Sequence, residues 1–285
     1  MLPTGESAVF HDSSFFAQAA APLELPTPSD VRAAQLRVVR NPRRPPPVLF
    51  PTLGLVVKYG RDTSIAEAQC ISVPVPEVYG WCIDDGEVFV YMELVSGTPL
   101  DELWPSLRGE EHISVCHQLR DALKALRRLE QDPADAHVGD IARGPIQDYI
   151  FIHGGLAPAG PFSSVPQLHD HLALAKHCKN DPYYEHPYRY MLQDEARIVF
   201  THGDLSFCNV LVSPASASDS TLRIAALLDW HQAGWMPDYW EAYKARWTHG
   251  DEWADRYLSH ILDVTDDDHE EDHYWLQYIH YLGLA

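Results

Sequence analysis

Two short stretches hold the residues best suited to chemistry. "THGDLSFCNV" runs from Thr201 to Val210, and "LLDWHQAGW" runs from Leu227 to Trp235. Together they place Asp204, Asn209 and Asp229 around what reads as a loop and a hairpin. Asp204 follows the strand-like "RIVFTH" in a loop that ends at Asn209, where the next strand begins, and Asp229 arrives at the same end from the partner strand. Two carboxylates and an amide converging with no basic residue among them form a poor salt bridge but a good oxygen-ligand set for a hard divalent cation. So few protein ligands leave positions for water and phosphate oxygens, which favours magnesium over calcium. A rival metal chemistry is written at His269-Glu270-Glu271-Asp272-His273, a match to H-E-x-x-H, in which two zinc ligands and a base share one helical face. Its middle positions are acidic within the run Asp263 to His273, which reads as a solvated face. Ile279 stands where an extended zinc-protease pattern needs a third histidine.

"HGDLSFCN" followed by "LLDW" resembles the aminoglycoside phosphotransferase-like (phosphotransferase enzyme) family, relatives of protein kinases, in its fungal-type form. The resemblance implies an α+β, protein-kinase-like bilobal fold with a small β-rich N-lobe and a larger, mainly helical C-lobe. It implies ATP and Mg²⁺ as cofactors and the hydroxyl of a small molecule as acceptor. Asp204 then becomes the catalytic base, Asn209 a metal ligand, and Asp229 the ligand between metal and phosphates; His202 orders the loop.

Upstream, "LVVKYG" puts Lys58 in an apolar strand, where an ammonium is costly unless it meets an anion. The resemblance makes that anion the nucleotide phosphates; the alternative is a lysine on an exposed strand face. Glu67 pairs with Lys58 if the kinase pattern holds, or only closes a capping box begun at Ser64. "FVYMELVSGTPL" looks like the hinge between lobes, with Glu93 to Val95 offering backbone groups to an adenine ring.

The chain departs from the family in two places on that side. No G-x-G-x-x-G loop precedes Lys58, and the helix expected at Ile65 to Ser72 is only about 12 Å long at ~1.5 Å per residue. A catalytically inactive pseudokinase, or a simple nucleotide-binding module, is therefore the alternative reading. Beyond Asp229 a helix is expected by about Pro237 to Tyr239, with Pro237 suited to its first turn. That leaves no space for a protein kinase's long activation segment, and Gly203 replaces the arginine that would read a phosphorylated loop. A small acceptor is thus favoured over a protein, with a cationic one among the options given the acidic run. Trp235 is a candidate lining residue for the acceptor cleft, while Glu241 reads as structural, pairing with Arg246 or a backbone group.

The elements that must position these residues follow from periodicity. A helix opens at Ser29 or Asp30 as N-cap, and the prolines of "NPRRPPPVLFP" end it. Strands follow at "LGLVVKYG", "EVYGWCI" and "EVFVYMELV", with a turn at Asp84 to Gly86. In "EHISVCHQLRDALKALRRLE" the apolar residues Ile113, Cys116, Leu119, Leu123, Leu126 and Leu129 mark an amphipathic helix. Strands dominate up to Val95 and helices afterwards, so the N-lobe is expected over 1–95 and the C-lobe over 96–285.

The bulk numbers set outer bounds. The 285 residues carry 21 Lys+Arg against 41 Asp+Glu, a formal net charge of −20. Nucleic acid and anionic membrane surfaces would be repelled. Five scattered cysteines form no C-x-x-C pair, so neither a disulfide framework nor a zinc ribbon is expected. With no apolar run long enough to span a bilayer, the expectation is a soluble, cytoplasmic protein.

Overall fold

The computed structural model of the chain describes residues 5–17, 24–63, 73–149, 151, 159–174, 189, 192, 194–216 and 219–262. Glu67, the short helix expected at Ile65 to Ser72, and the His269 to His273 run lie outside these residues.

The N-terminal lobe is one antiparallel sheet. Its strands are β1 (Ser7–Val9), β2 (Val48–Phe50), β3 (Leu55–Gly60), β4 (Val78–Asp84) and β5 (Glu87–Glu93), in the order β1-β4-β5-β3-β2. Side chains alternate across a strand, and the two faces have different fates. Leu55, Val57 and Tyr59 of β3 join Phe89 and Tyr91 of β5 in a core closed by Val31 and Phe15. Val56 and Lys58 take the opposite face. Lys58 stands across from Val90 in the β3–β5 register, and so points into the cleft beneath the sheet instead of the core.

Among the described residues two helices flank this sheet, α1 (Ser14–Ala17) and α2 (Pro28–Ala33). The N-cap of α2 is Thr27, not Ser29 or Asp30. Its hydroxyl accepts from the Asp30 N–H at 3.2 Å, while the Asp30 carboxylate takes the Thr27 N–H at 2.9 Å. Asp30 is therefore the third residue of a capping box, with Pro28 occupying the first turn, where its missing N–H costs nothing.

The C-terminal lobe is mainly helical: α3 (Leu100–Leu103), α4 (Gly109–Leu126), α5 (Val165–Leu174), α6 (Trp240–His249) and α7 (Asp251–Ile261). Cys116, Leu119, Leu123 and Leu126 of α4 are buried as their spacing predicts, against Leu258 and Ile261 of α7, with Ile113 and Leu129 at the margin. Among the described residues the lobe also holds two small sheets. One contains β6 (Thr98–Pro99), β9 (Val210–Ser216) and β10 (Asp219–Leu227); the other contains β7 (Gly139–Asp140), β8 (Ile198–Thr201) and β11 (Gly234–Pro237). The fold is the α+β, bilobal one expected.

The segment after Asp229 differs from the expectation. Pro237 does not open a helix; it ends β11, opposite Ile198 of β8, and the helix starts at Trp240. Proline lacks an N–H to donate to the ladder, and at a strand end that loss is small. Trp235 belongs to the same strand. It is 8% exposed and meets the Phe200 ring edge-on at 5.2 Å, so it is core and not a lining of the acceptor cleft.

Candidate active site

Asp204, Asn209 and Asp229 are brought together by main-chain lashings between the loop after β8 and the mouth of the β9–β10 hairpin. The loop runs from β8 through Asp204 into a 3-10 turn, Phe207–Asn209. There the Asn209 amide Nδ2 donates to the Asp204 carbonyl at 3.0 Å, which holds the asparagine's own Oδ1 away from that carbonyl. The Asn209 carbonyl accepts from the Leu228 N–H at 2.7 Å, so Asp229 follows directly on a residue paired with the loop. His202 supplies the third tie. Its Nδ1 accepts from the Asp204 N–H at 3.2 Å, which leaves the hydrogen on Nε2 to donate to the Leu228 carbonyl at 3.0 Å. Burial keeps this ring neutral by pushing its pKa down. Through these two bonds His202 orders the loop.

The loop is anchored from below by Glu241, the second residue of α6 and only 2% exposed. Its carboxylate accepts the His202 N–H at 2.7 Å and the Gly203 N–H at 3.1 Å. Arg246, the other partner considered for it, pairs instead with Asp255 at 3.0 Å. Burial pushes the Glu241 carboxyl up, against the pull of Arg127 and the two amides. Gly203 fits because it has φ +76 and no Cβ; a Cβ there would lie 2.6 Å from the Gln232 carbonyl.

Asp229 itself has left-handed backbone, φ 61, a region that aspartate enters more readily than most residues. Its Oδ1 receives two cations: Lys58 Nζ at 3.1 Å from the sheet above, and Arg44 Nη2 at 2.6 Å. Burial alone would raise this carboxyl, but Lys58 and Arg44 overcome it and hold the pKa down to about 2. Asp204 is the opposite case. Burial pushes it above the ordinary carboxylate value and Asp229 adds to this, with Lys244, Asn209 and Gln232 opposing. Two neighbouring carboxylates are thus driven apart in proton affinity, the pattern that separates a base from a permanent anion.

Glu93 ends β5 and takes the Glu77 N–H on its carboxylate at 3.3 Å. Beyond it, the Leu94 N–H is committed to the Gly54 carbonyl at 2.8 Å, which ties the interlobe segment to the β2–β3 turn, and Val95 is half-buried. Lys58 meets Asp229; Glu67, its other expected partner, lies outside the described residues.

Sequence reasoning missed a second tier. Behind the loop, Lys244 and Asp148, both 1% exposed, form an ion pair of 2.7 Å. Lys244 also donates to Gln232 Oε1 at 2.9 Å, and the same oxygen accepts the Tyr149 N–H at 3.0 Å. Trp240 Nε1 donates to the other Asp148 oxygen at 2.9 Å. A lysine amid "WEAYKARW" carried the same warning as Lys58 in its apolar strand, an ammonium that must meet an anion. Arg44 was passed over because the prolines around it read only as a helix end.

The oxygen donors suit an ion that takes few protein ligands. Among the described residues, no group of three or more His, Cys, Asp or Glu forms a closed metal cage. One carboxylate and one amide oxygen, with water and phosphate completing the shell, match the habits of Mg²⁺.

A family model described as "Phosphotransferase enzyme family" matches residues 56–274. The chain is similar in structure to the GDP and kanamycin complex of APH(2")-IIia, at 16% identity and a TM-score of 0.55, with 85% of this chain and 82% of that one covered. It is similar too to the streptomycin-ATP-APH(2")-IIa ternary complex, at 13% identity and a TM-score of 0.53, with 90% and 89% covered. At such identities the likeness is one of fold. Among curated protein sequences none matches.

Proposed function

The chain belongs to the phosphotransferase enzyme family, and on that premise we propose that it transfers the γ-phosphoryl group of ATP, with Mg²⁺, to a hydroxyl of a small molecule. The observation that carries this reading is the meeting of Asp204, Asn209 and Asp229 at one end of a hairpin, with Lys58 reaching down from the N-lobe to Asp229 at 3.1 Å. A phosphoryl transfer needs little covalent help from protein; it needs reactants held in line and negative charge neutralised.

In this reading Asn209 and Asp229 hold the metal and Lys58 holds phosphate oxygens. Bound magnesium would draw charge off the phosphates and so make the γ-phosphorus easier to attack. Asp204 accepts the proton of the attacking hydroxyl as the new O–P bond forms and the bond to the bridging oxygen breaks, leaving ADP. Its raised proton affinity suits a base, a role worth roughly 10²- to 10⁴-fold in rate. Asp229 stays ionised throughout because cations surround it. Nucleotide binding is assigned to residues 1–95, with Glu93 to Val95 along its adenine edge, and acceptor binding to 96–285. The short link from Asp229 to α6 favours a small acceptor, since part of it is already committed to β11.

The test is thermal unfolding with nucleotides. Mg²⁺ with ATP should raise the melting temperature, and Asp229→Asn should remove the rise. A wild-type chain that responds to no nucleotide would end the proposal. If it does respond, a broad set of hydroxyl compounds should include one that yields ADP above the Asp204→Ala background. Binding without such turnover would make the chain a pseudokinase.

A further inference from the structure

Arg44 sits where a kinase-like lobe would keep its phosphate cover, and how it gets there is physical. The strand β2 has only three residues, so Lys58 in β3 extends past its partner, and the segment Arg43 to Pro47 runs alongside in place of a glycine-rich hairpin. Three consecutive prolines, Pro45 to Pro47, fix the local φ values and stiffen that segment. It is tied down at both ends. The Asp62 N–H donates to the Arg43 carbonyl at 3.0 Å, and Gln35 Nε2 donates to the Pro46 carbonyl at 2.7 Å. Gly60 makes the close approach possible, because a Cβ there would lie 2.4 Å from the Arg43 oxygen.

From this track the Arg44 side chain crosses the cleft. Nη1 donates to the Tyr149 hydroxyl at 2.7 Å in the C-lobe, and Nη2 donates to Asp229 Oδ1 at 2.6 Å. Lys58 reaches the same Asp229 oxygen. Two cations thus converge on one carboxylate oxygen, and both side chains are only 19% exposed. If Asp229 held a divalent cation, its oxygen would be shared with that ion, and the phosphates carried by the metal would offer both side chains an anion within the same cleft. A guanidinium matches phosphate oxygens with paired donors, which an ammonium cannot do.

We propose that Arg44 is a nucleotide-phosphate ligand, with Tyr149 as its pivot, and that this one side chain does the work that backbone amides of a glycine-rich loop do elsewhere. The inference rests on the nucleotide-dependent reading above. The opposite role, an arginine that merely plugs Asp229, would compete with the metal. The two make contrary forecasts.

Calorimetric titration of the full chain with Mg²⁺-ATP and, separately, with adenosine decides between them, using wild type, Arg44→Gln and Arg44→Lys. Loss of a charge-assisted hydrogen bond to phosphate should weaken Mg²⁺-ATP binding to Arg44→Gln roughly 10- to 100-fold. Adenosine, which has no phosphate, should bind as to wild type and so vouch for the fold. Arg44→Lys should fall between, since it keeps the charge and loses the fork. Unchanged or tighter Mg²⁺-ATP binding by Arg44→Gln overturns the proposal, and so does an equal loss for adenosine. Wild type that binds no nucleotide overturns the functional reading and this inference together, an outcome distinct from either of those.

Discussion

Replacing Asp229 by asparagine tests the electrostatics of the site without any substrate. The change is nearly isosteric, and asparagine accepts the left-handed backbone at φ 61, so the substitution adds little strain of its own. What it removes is a carboxylate whose pKa Lys58 and Arg44 hold at about 2, against an ordinary value of 3.8. Because the folded pKa is the lower one, ionisation of Asp229 stabilises the fold fully above about pH 4, and the contribution fades as pH falls through 2. The gap, 3.8 minus about 2, corresponds to about 2 kcal/mol at neutral pH, of which roughly half is gone by pH 3. The assay is urea unfolding of wild type and Asp229→Asn, with chelator present, at steps from pH 7 to pH 3. Both chains share every other carboxylate, so subtraction cancels the general acid response of a protein with net charge −20. The difference should be about 2 kcal/mol at pH 7 and shrink toward about 1 kcal/mol at pH 3. A variant as stable as wild type at pH 7, or a difference that stays constant as pH falls, would refute the reasoning.

Three further substitutions probe the loop and the tier behind it. Lys244→Met strips a buried aspartate of its ammonium and should cost ~3–5 kcal/mol in urea unfolding, whereas adding Asp148→Asn, which keeps an acceptor for Trp240, should restore most of it; additive losses would show that the pair is not coupled. Gly203→Ala forces a Cβ to within 2.6 Å of the Gln232 carbonyl at φ +76. It should cost ~1–2 kcal/mol for the backbone and ~1–3 kcal/mol for the overlap, and lower phosphotransfer rate more than nucleotide affinity, because it moves the loop that carries Asp204 and leaves the N-lobe alone.

Much of this protein was legible along the chain because its signals are local. Alternation marked β3 to β5, three-and-four spacing marked α4, and the spacing of Asp204, Asn209 and Asp229 around a hairpin foretold that these three residues meet. The same local rules misplaced the N-cap of α2 and read Pro237 as a helix opener. Thr27 and Asp30 both suit a cap, and only their mutual bonds identify which one is; Pro237 ends a strand because Ile198, far upstream, pairs with it. Trp235 followed its strand into the core.

What tertiary structure alone decided is which charges meet. Arg44 and Asp229 are 185 residues apart and Lys58 and Asp229 are 171 apart, while Lys244 finds Asp148 across 96. No period or motif encodes a partner at such separations. The sequence could show that a lysine in an apolar strand needs an anion, since that follows from the cost of burying a charge. Which anion, and that an arginine from a proline-rich segment shares it, depended on how the sheet edge, the short β2 and the hairpin mouth pack across the cleft.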